Sequence, residues 1–226
     1  MQENSVHMPV ASAYDRWSQC YDGYDNPMGH GARQVLASLG HSFKGRVVFE
    51  FGCGTGVNLL AALHMGAASV GGCDLSPGML AQARKRLPAL TLLEHDMTRP
   101  LPLPDGGVDC ALFCLSLEHV AEPAAPLREA GRLLAPGGQV EIIEIHPFAS
   151  MAGVAAHFQD KGETVIMPTF AHSFADHLNA FEAAGLRVTA CHEWRAQDFG
   201  AAATPKMLKR GERYPLLVRF TLCKSD

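Results

Sequence analysis

The segment Val47-Val48-Phe49-Glu50-Phe51-Gly52-Cys53-Gly54-Thr55-Gly56 is an apolar run that passes directly into three alternating glycines. Without a Cβ, Gly52 and Gly54 let the chain turn sharply and let a ligand approach the main chain. Asp74 stands eighteen residues after Gly56, at the end of the next apolar run. A carboxylate at that place accepts hydrogen bonds from two ribose hydroxyls. The nicotinamide-type fingerprint is G-x-G-x-x-G, whose last glycine permits close packing beside a pyrophosphate. Val57 takes the place of that glycine here, and Glu50 precedes the loop. An acid there repels a pyrophosphate and suits a ligand bearing an ammonium group. These residues fit a ribose-bearing, ammonium-bearing ligand better than a dinucleotide.

Eleven histidines supply acid/base groups that titrate near neutral pH, and position sorts them better than number. In open α/β sheets the ligand lies beyond the C-terminal ends of the strands. His146 ends an apolar run and His172 opens a later helical pattern, so both are expected at that crevice. Each is a candidate catalytic base, or a group that shapes the pocket. His119 follows another apolar run, within approach of the site or serving packing, and His157 lies in a long connection. The other seven sit at ends, helix faces or turns, where a solvated or satisfied histidine is expected. No metal site is expected. Cys110 and Cys114, four apart on a predicted strand, have Cα atoms about 13 Å apart, too far to share one zinc. Cys53 reads as a small packed residue rather than a reactive thiol.

Elements that would position these groups follow from periodicity. Apolar runs at 46–51, 70–74, 90–95, 108–115, 139–146, 186–194 and 216–223 alternate with helical patterns, the signature of a parallel sheet covered by helices. Ala32, Val35, Leu36 and Leu39 share one helical face, with Gly40 placed as a left-handed terminator. Ser76-Pro77 is an N-cap followed by proline at the first helical position. Pro136-Gly137-Gly138 stops another helix, and Ser173-x-x-Asp176 resembles a capping box on a helix ending at Gly185. Two segments stand outside the alternation. Tyr14, Trp17, Tyr21 and Tyr24 are spaced to share one stripe if a helix runs that far. Residues 147–172 are too many for an ordinary connection and read as a lid or substrate wall. Phe148, Met151, Val154, Phe158, Val165, Ile166, Met167 and Phe170 are its expected apolar lining.

The 226 residues, 47% hydrophobic and 19% charged, suit one large α/β domain. A net charge of −4 leaves no basic track for nucleic acid or an anionic membrane. The longest apolar run, 110–117, is broken by Ser116, whereas spanning a bilayer takes roughly 20 residues. The opening MQENSVHMPV has neither a basic leader nor an apolar signal core. Seven cysteines without framework spacing suggest free thiols in a reducing cytosol, so a cytoplasmic protein is expected.

The E-x-G-x-G-x-G arrangement from Glu50 to Gly56 resembles motif I of the class I S-adenosylmethionine-dependent methyltransferases. Gly72-Cys73-Asp74-Leu75-Ser76-Pro77-Gly78-Met79-Leu80 looks like their second motif, and His95-Asp96-Met97 like their adenine-binding step. Val108-Asp109-Cys110-Ala111-Leu112-Phe113 and Leu134-Ala135-Pro136-Gly137-Gly138 are similar to their fourth strand and the turn before the fifth. Tyr14-Asp15 through Tyr21-Asp22, Ile145-His146-Pro147-Phe148 and Phe170-Ala171-His172-Ser173 resemble the ubiquinone/menaquinone-biosynthesis subgroup. The chain departs from that subgroup at Phe170, Ser173 and Leu186, where an aromatic hydroxyl and an arginine are lost.

That resemblance implies a doubly wound, Rossmann-like α/β sheet of seven mostly parallel strands, the last antiparallel. Within one domain of 1–226 it implies an N-terminal helical cover (1–44), a cofactor-binding half (45–146), a lid (147–172) and a C-terminal helix with strands (173–226). It implies S-adenosylmethionine held by Glu50, Gly52, Cys53, Gly54, Asp74, Leu75, Met79, Asp96, Met97, Cys114 and Leu115. Tyr14 and Tyr21 would close over its methionine end. The implied activity is in-line transfer of a methyl group to a small, apolar or aromatic metabolite, leaving S-adenosylhomocysteine. Orientation contributes roughly 7–11 kcal/mol to such a step and a base about 10²–10⁴-fold, so a base is useful but not obligatory. A protein of the same fold that has lost methyl transfer and catalyses a cyclisation is the alternative, and a nicotinamide oxidoreductase is a third reading.

Overall fold

A computed structural model describes residues 4–225; the expectations for residues 1–3 and 226 lie outside the described residues. The chain opens with β1 (Asn4–His7), α1 (Val10–Trp17), α2 (Pro27–Ala37) and the short α3 (Gly40–Phe43). The alternation then begins with β2 (Val47–Phe51), α4 (Val57–His64), β3 (Ser69–Asp74), α5 (Pro77–Arg86) and β4 (Thr91–Glu94). It continues with β5 (Val108–Cys114), α6 (Ala124–Leu133) and β6 (Leu134–Ile145). After β6 come α7 (Pro147–Met151), β7 (His157–Asp160) and β8 (Glu163–Ile166). The chain closes with α8 (Phe174–Ala183), β9 (Leu186–Arg195), α9 (Pro205–Leu208) and β10 (Pro215–Lys224).

All seven expected strands join one sheet in the order β4-β3-β2-β5-β6-β10-β9. Strands β4 to β6 run parallel, and β10 is antiparallel to both β6 and β9. Chain order reverses between β2 and β5, which places the ligand crevice beyond their C-terminal ends. Side chains alternate across β2. Phe49 and Phe51 pack with Phe113, Phe181 and Phe220 on one face; Val48 packs with Leu36, Leu59 and Leu112 on the other. Each fully buried phenylalanine contributes about 1.5–3 kcal/mol. Glu50 shares the face of Val48, and this sets its environment.

Local signals were legible in detail. The Ser76 hydroxyl accepts from the Met79 amide at 3.0 Å. Ser173 and Asp176 form the reciprocal capping box of α8, and Gly185 beyond it has φ +70°. Gly40 differs from expectation: it begins α3, and the left-handed glycine is Gly45, at φ +73°. No helix among the described residues is long and apolar enough to cross a membrane.

The cover and the lid hold the main departures. Strand β1 pairs in parallel with β8, which pairs antiparallel with β7, making a three-stranded sheet outside the main one. The cover is therefore part strand, and it is stitched to the segment after β6. Arg16 adds ion pairs to Asp160 at 2.7 Å and Glu163 at 2.9 Å. Helix α1 stops at Trp17, so the four aromatic residues do not form one helical stripe; a turn at Tyr21–Gly23 carries Tyr21, and Tyr24 follows it in extended backbone. The rings nevertheless cluster, with Trp17 stacked on Phe158 of β7 at 4.5 Å.

Candidate active site

The glycine loop turns because its glycines occupy left-handed backbone: φ is +76° at Gly52, +52° at Gly54 and +74° at Gly56. A Cβ at Gly52 would meet Ser116 Cβ at 2.7 Å and Met97 Cε at 3.3 Å, so the cradle has no room for a side chain. The amides of Gly52 and Cys53 donate to the Cys73 carbonyl at 2.8 and 2.9 Å. The Gly54 amide donates to Asp74 Oδ2 at 2.8 Å, while the Ser76 amide donates to Oδ1 at 2.8 Å. One carboxylate thus locks the loop after β2 to the start of α5. Burial raises the Asp74 pKa above its ordinary value, and these backbone donors oppose that shift.

A cavity of about 510 Å³ opens over this loop. Tyr14, Tyr21, Gly52, Gly54, Asp74 and Leu75 line it, together with Met79, Asp96, Met97, Cys114 and Leu115. Of the residues expected to hold the cofactor, Glu50 and Cys53 are not on its wall. Both are buried beneath the loop. Glu50 projects toward α4, where Asn58 Nδ2 donates to its Oε1 at 2.7 Å and Oε2 has no partner. Desolvation pushes its carboxyl up to about 8. Direct contact between this acid and an ammonium group is therefore not available in this conformation. Cys53 packs against the sheet, and burial raises its thiol well above the usual range.

The two Tyr-Asp pairs divide their work. Tyr14 and Tyr21 face the cavity, whereas the acids dock the cover onto the sheet. Asp15 Oδ1 accepts from Ser76 Oγ at 2.5 Å and the Gly78 amide at 2.8 Å. Asp22 accepts from Thr55 Oγ1 at 2.7 Å and pairs with Arg86 at 2.6 Å. Both docking points lie at helix starts or the glycine loop, a role that the spacing of the sequence did not disclose.

A second cavity, of about 560 Å³, adjoins the first and shares Tyr14, Tyr21 and Leu115 with it. The rest of its wall comes from Trp17, residues 24–28, Glu118, Ile145, the lid stretch 153–157, Leu216 and the 206–210 region. Of the expected apolar lid lining, Val154 reaches this cavity and Phe170 reaches the first. Phe158, Val165 and Met167 are instead buried against Ala13, Trp17 and Met79. Phe148 and Met151 are exposed. Three of the eight expected lining residues thus form a packed cluster with the cover, and the lid walls the second cavity through residues 153–157.

Neither expected catalytic histidine reaches either large cavity. His146 Nδ1 accepts from the Phe148 amide at 3.1 Å and caps α7, while its Nε2 lies 2.8 Å from Glu193. His172 Nε2 lies 2.8 Å from the Val120 carbonyl, beside a small void with Glu118, Glu144 and His177. His146 is thus engaged by the α7 backbone and Glu193, and His172 by the Val120 carbonyl. Two histidines line the first cavity: His95, whose Nε2 lies 3.0 Å from the Pro100 carbonyl, and His119. The His119 Nε2 is 2.8 Å from Tyr14 Oη, and its Nδ1 is 2.8 Å from the Pro168 carbonyl. Because a carbonyl can only accept, Nδ1 carries the proton and Nε2 accepts from the phenol. Burial lowers the His119 pKa and raises that of Tyr14, so both stay neutral near pH 7. Behind them, burial and their mutual repulsion raise Glu118 to about 8; burial raises Glu144 to about 7.

A methyltransferase-domain family matches residues 49–142 of this chain. A demethylmenaquinone methyltransferase of Beutenbergia cavernae is 31% identical over 154 residues, 64% of this chain and 63% of that protein. The match therefore spans less than two thirds of that relative's length. The fold is similar to a solved S-adenosylmethionine-dependent methyltransferase from Mesorhizobium loti, with TM-score 0.67 and 24% identity over 84% of this chain and 95% of that one. It is also similar to the cyclase SpnF, with TM-score 0.67 and 18% identity over 98% of this chain and 99% of that one.

Proposed function

We propose, from the premise that this chain belongs to the class I S-adenosylmethionine-dependent methyltransferases, of the menaquinone-biosynthesis type, that it methylates a small, largely apolar or aromatic metabolite in the cytoplasm. The observation that carries this reading is the pair of adjoining cavities with Tyr14, Tyr21 and Leu115 as common wall. The first fits the cofactor: a cradle that a Cβ would fill, a ribose acid at Asp74 and an adenine step at Asp96-Met97. When bound, the cofactor supplies a sulfonium-activated methyl group and leaves as S-adenosylhomocysteine. Tyr14 and Tyr21 cover its methionine end and orient the acceptor across the shared wall. For a hydroxyl acceptor, its proton passes to Tyr14 Oη as the Tyr14 proton passes to His119 Nε2. The Pro168 carbonyl, already bonded to Nδ1–H, stabilises the charge that His119 then carries.

A metabolite extract incubated with labelled S-adenosylmethionine tests the activity. Release of S-adenosylhomocysteine together with one labelled product supports methyl transfer and identifies the acceptor. Tight binding of S-adenosylhomocysteine without turnover on any fraction would favour a non-transferring, cyclase-like protein. Binding of a nicotinamide cofactor alone would overturn the assignment.

A further inference from the structure

The second cavity has ends of opposite character. Its inner end, at Tyr14, Tyr21 and Leu115, touches the cofactor cavity, and its middle is apolar at Trp17, Met28, Met207 and Leu216. Its outer rim carries Lys206, Lys209 and Arg210 within five residues, with His157 alongside and Asp25 as the rim's acid. Asp25 is already engaged: Lys206 Nζ lies 2.9 Å from its Oδ2 and donates to its carbonyl at 2.9 Å. Lys209 has no carboxylate partner among the described residues. Arg210 lies over the Tyr214 ring at 5.4 Å and donates to its hydroxyl at 3.3 Å, contacts that leave its charge uncompensated. The cavity's inner carboxyl, Glu118, is raised to about 8 by burial and so adds little negative charge at neutral pH. Two cations without a carboxylate partner thus stand at the cavity mouth, on a chain whose net charge is −4. Local cations set against the overall sign concentrate anions at that mouth.

We propose that the methyl acceptor is an amphiphilic anion, with its nucleophile at Tyr14, an apolar body, and a carboxylate or phosphate held by Lys209 and Arg210. This rests on the second cavity being the acceptor site, as read above. The anionic group is the handle and not the methylated atom, since it sits at the end of the cavity away from the cofactor. Lys206 holds Asp25 and the 205–210 region in place and adds little net charge.

Displacement of the neutral fluorophore N-phenyl-1-naphthylamine from protein saturated with S-adenosylhomocysteine provides the test. Octanoate, octyl phosphate and octanol are the competitors, matched in apolar length and differing in headgroup. At low salt, at least one anion displaces the probe at a concentration about tenfold below that of octanol, the sum of two exposed charge pairs. The preferred anion distinguishes carboxylate from phosphate, and the advantage shrinks as salt screens it. The K209E/R210E double variant loses the advantage while octanol displaces the probe as before, which also shows the cavity intact. Equal displacement by all three, displacement by none, or an advantage that survives the double charge reversal overturns the proposal. Calorimetry of S-adenosylhomocysteine on the same samples separates the two readings. Loss of that binding undermines the methyltransferase assignment; intact binding without an anion preference removes the anionic acceptor alone.

Discussion

Tyr14 Oη lies 2.8 Å from His119 Nε2 and ties the N-terminal cover to the loop after β5. The opposite nitrogen of the same ring holds the lid through Pro168 at 2.8 Å. One imidazole therefore joins three segments that meet over the cofactor cavity, and its tautomer is set by the groups on either side.

His119→Gln is expected to lower turnover of a hydroxyl acceptor by about 10²–10⁴-fold, as for loss of a base. Tyr14→Phe, which interrupts the relay, should lower it in the same direction. Cofactor affinity in His119→Gln, measured by calorimetry with S-adenosylhomocysteine, should stay within about twofold of wild type. The pH profile carries a sign. Only neutral His119 accepts a proton, and its pKa lies below the ordinary 6.5. Turnover should hold through neutral pH and fall on the acid side of 6.5; a fall beginning above 7 argues against this residue.

Asp74→Ala should weaken S-adenosylhomocysteine binding by about 1.5–3 kcal/mol, the worth of hydrogen bonds to a charged acceptor. It also releases the Gly54 and Ser76 amides, so the melting temperature should drop in parallel. An unchanged dissociation constant would remove Asp74 from the ribose site.

For His146→Ala the expectation is opposite in kind. Losing the α7 cap costs about 1–2 kcal/mol in urea unfolding, while turnover remains within about threefold of wild type. A hundredfold loss of turnover in a folded variant would return His146 to the chemistry.

Buried acids make the unliganded protein sensitive to alkali. Glu50 and Glu118 sit at about 8 and Glu144 at about 7, each above the ordinary 4.5. The folded state then binds more protons than the unfolded chain between 4.5 and 8. The stability from these raised values is complete below 4.5 and is lost as pH rises through 7 to 8. His177, lowered to about 4 by burial, acts the other way and loses stability as pH falls from 6.5. Melting temperatures should therefore decline as pH rises from about 6.5 to 8, and Glu50→Gln should flatten that decline. A wild-type curve flat over that range would refute it.

What the sequence disclosed was what depends on neighbours in the chain. Gly54, Asp74 and Ser76 were legible because turn geometry, strand end and helix cap are each local, and the structure brings them within hydrogen-bonding reach. Glu50 was legible as part of a motif but not as a buried group, because its surroundings depend on which face of β2 meets α4. His146 and His119 both follow strands, and spacing alone cannot tell which ring turns to the crevice and which caps a helix. The pairing of β1 with β8 joins Asn4 to Glu163, and no local pattern marks such a distant partner. The second cavity was hidden for the same reason, since its wall draws on 24–28, 118 and 206–210 at once.

The stitching of the cover to the lid by β1, β8 and Arg16 carries a kinetic consequence. Tyr14 and Tyr21 roof both cavities from a segment that cannot lift without straining the lid hairpin. In the proposed cycle, movement of this cover touches both ligands at once, while the second cavity keeps a mouth of its own beside Lys209 and Arg210. The place to alter the pace of the cycle without touching either ligand is Arg16, on the outside of the molecule.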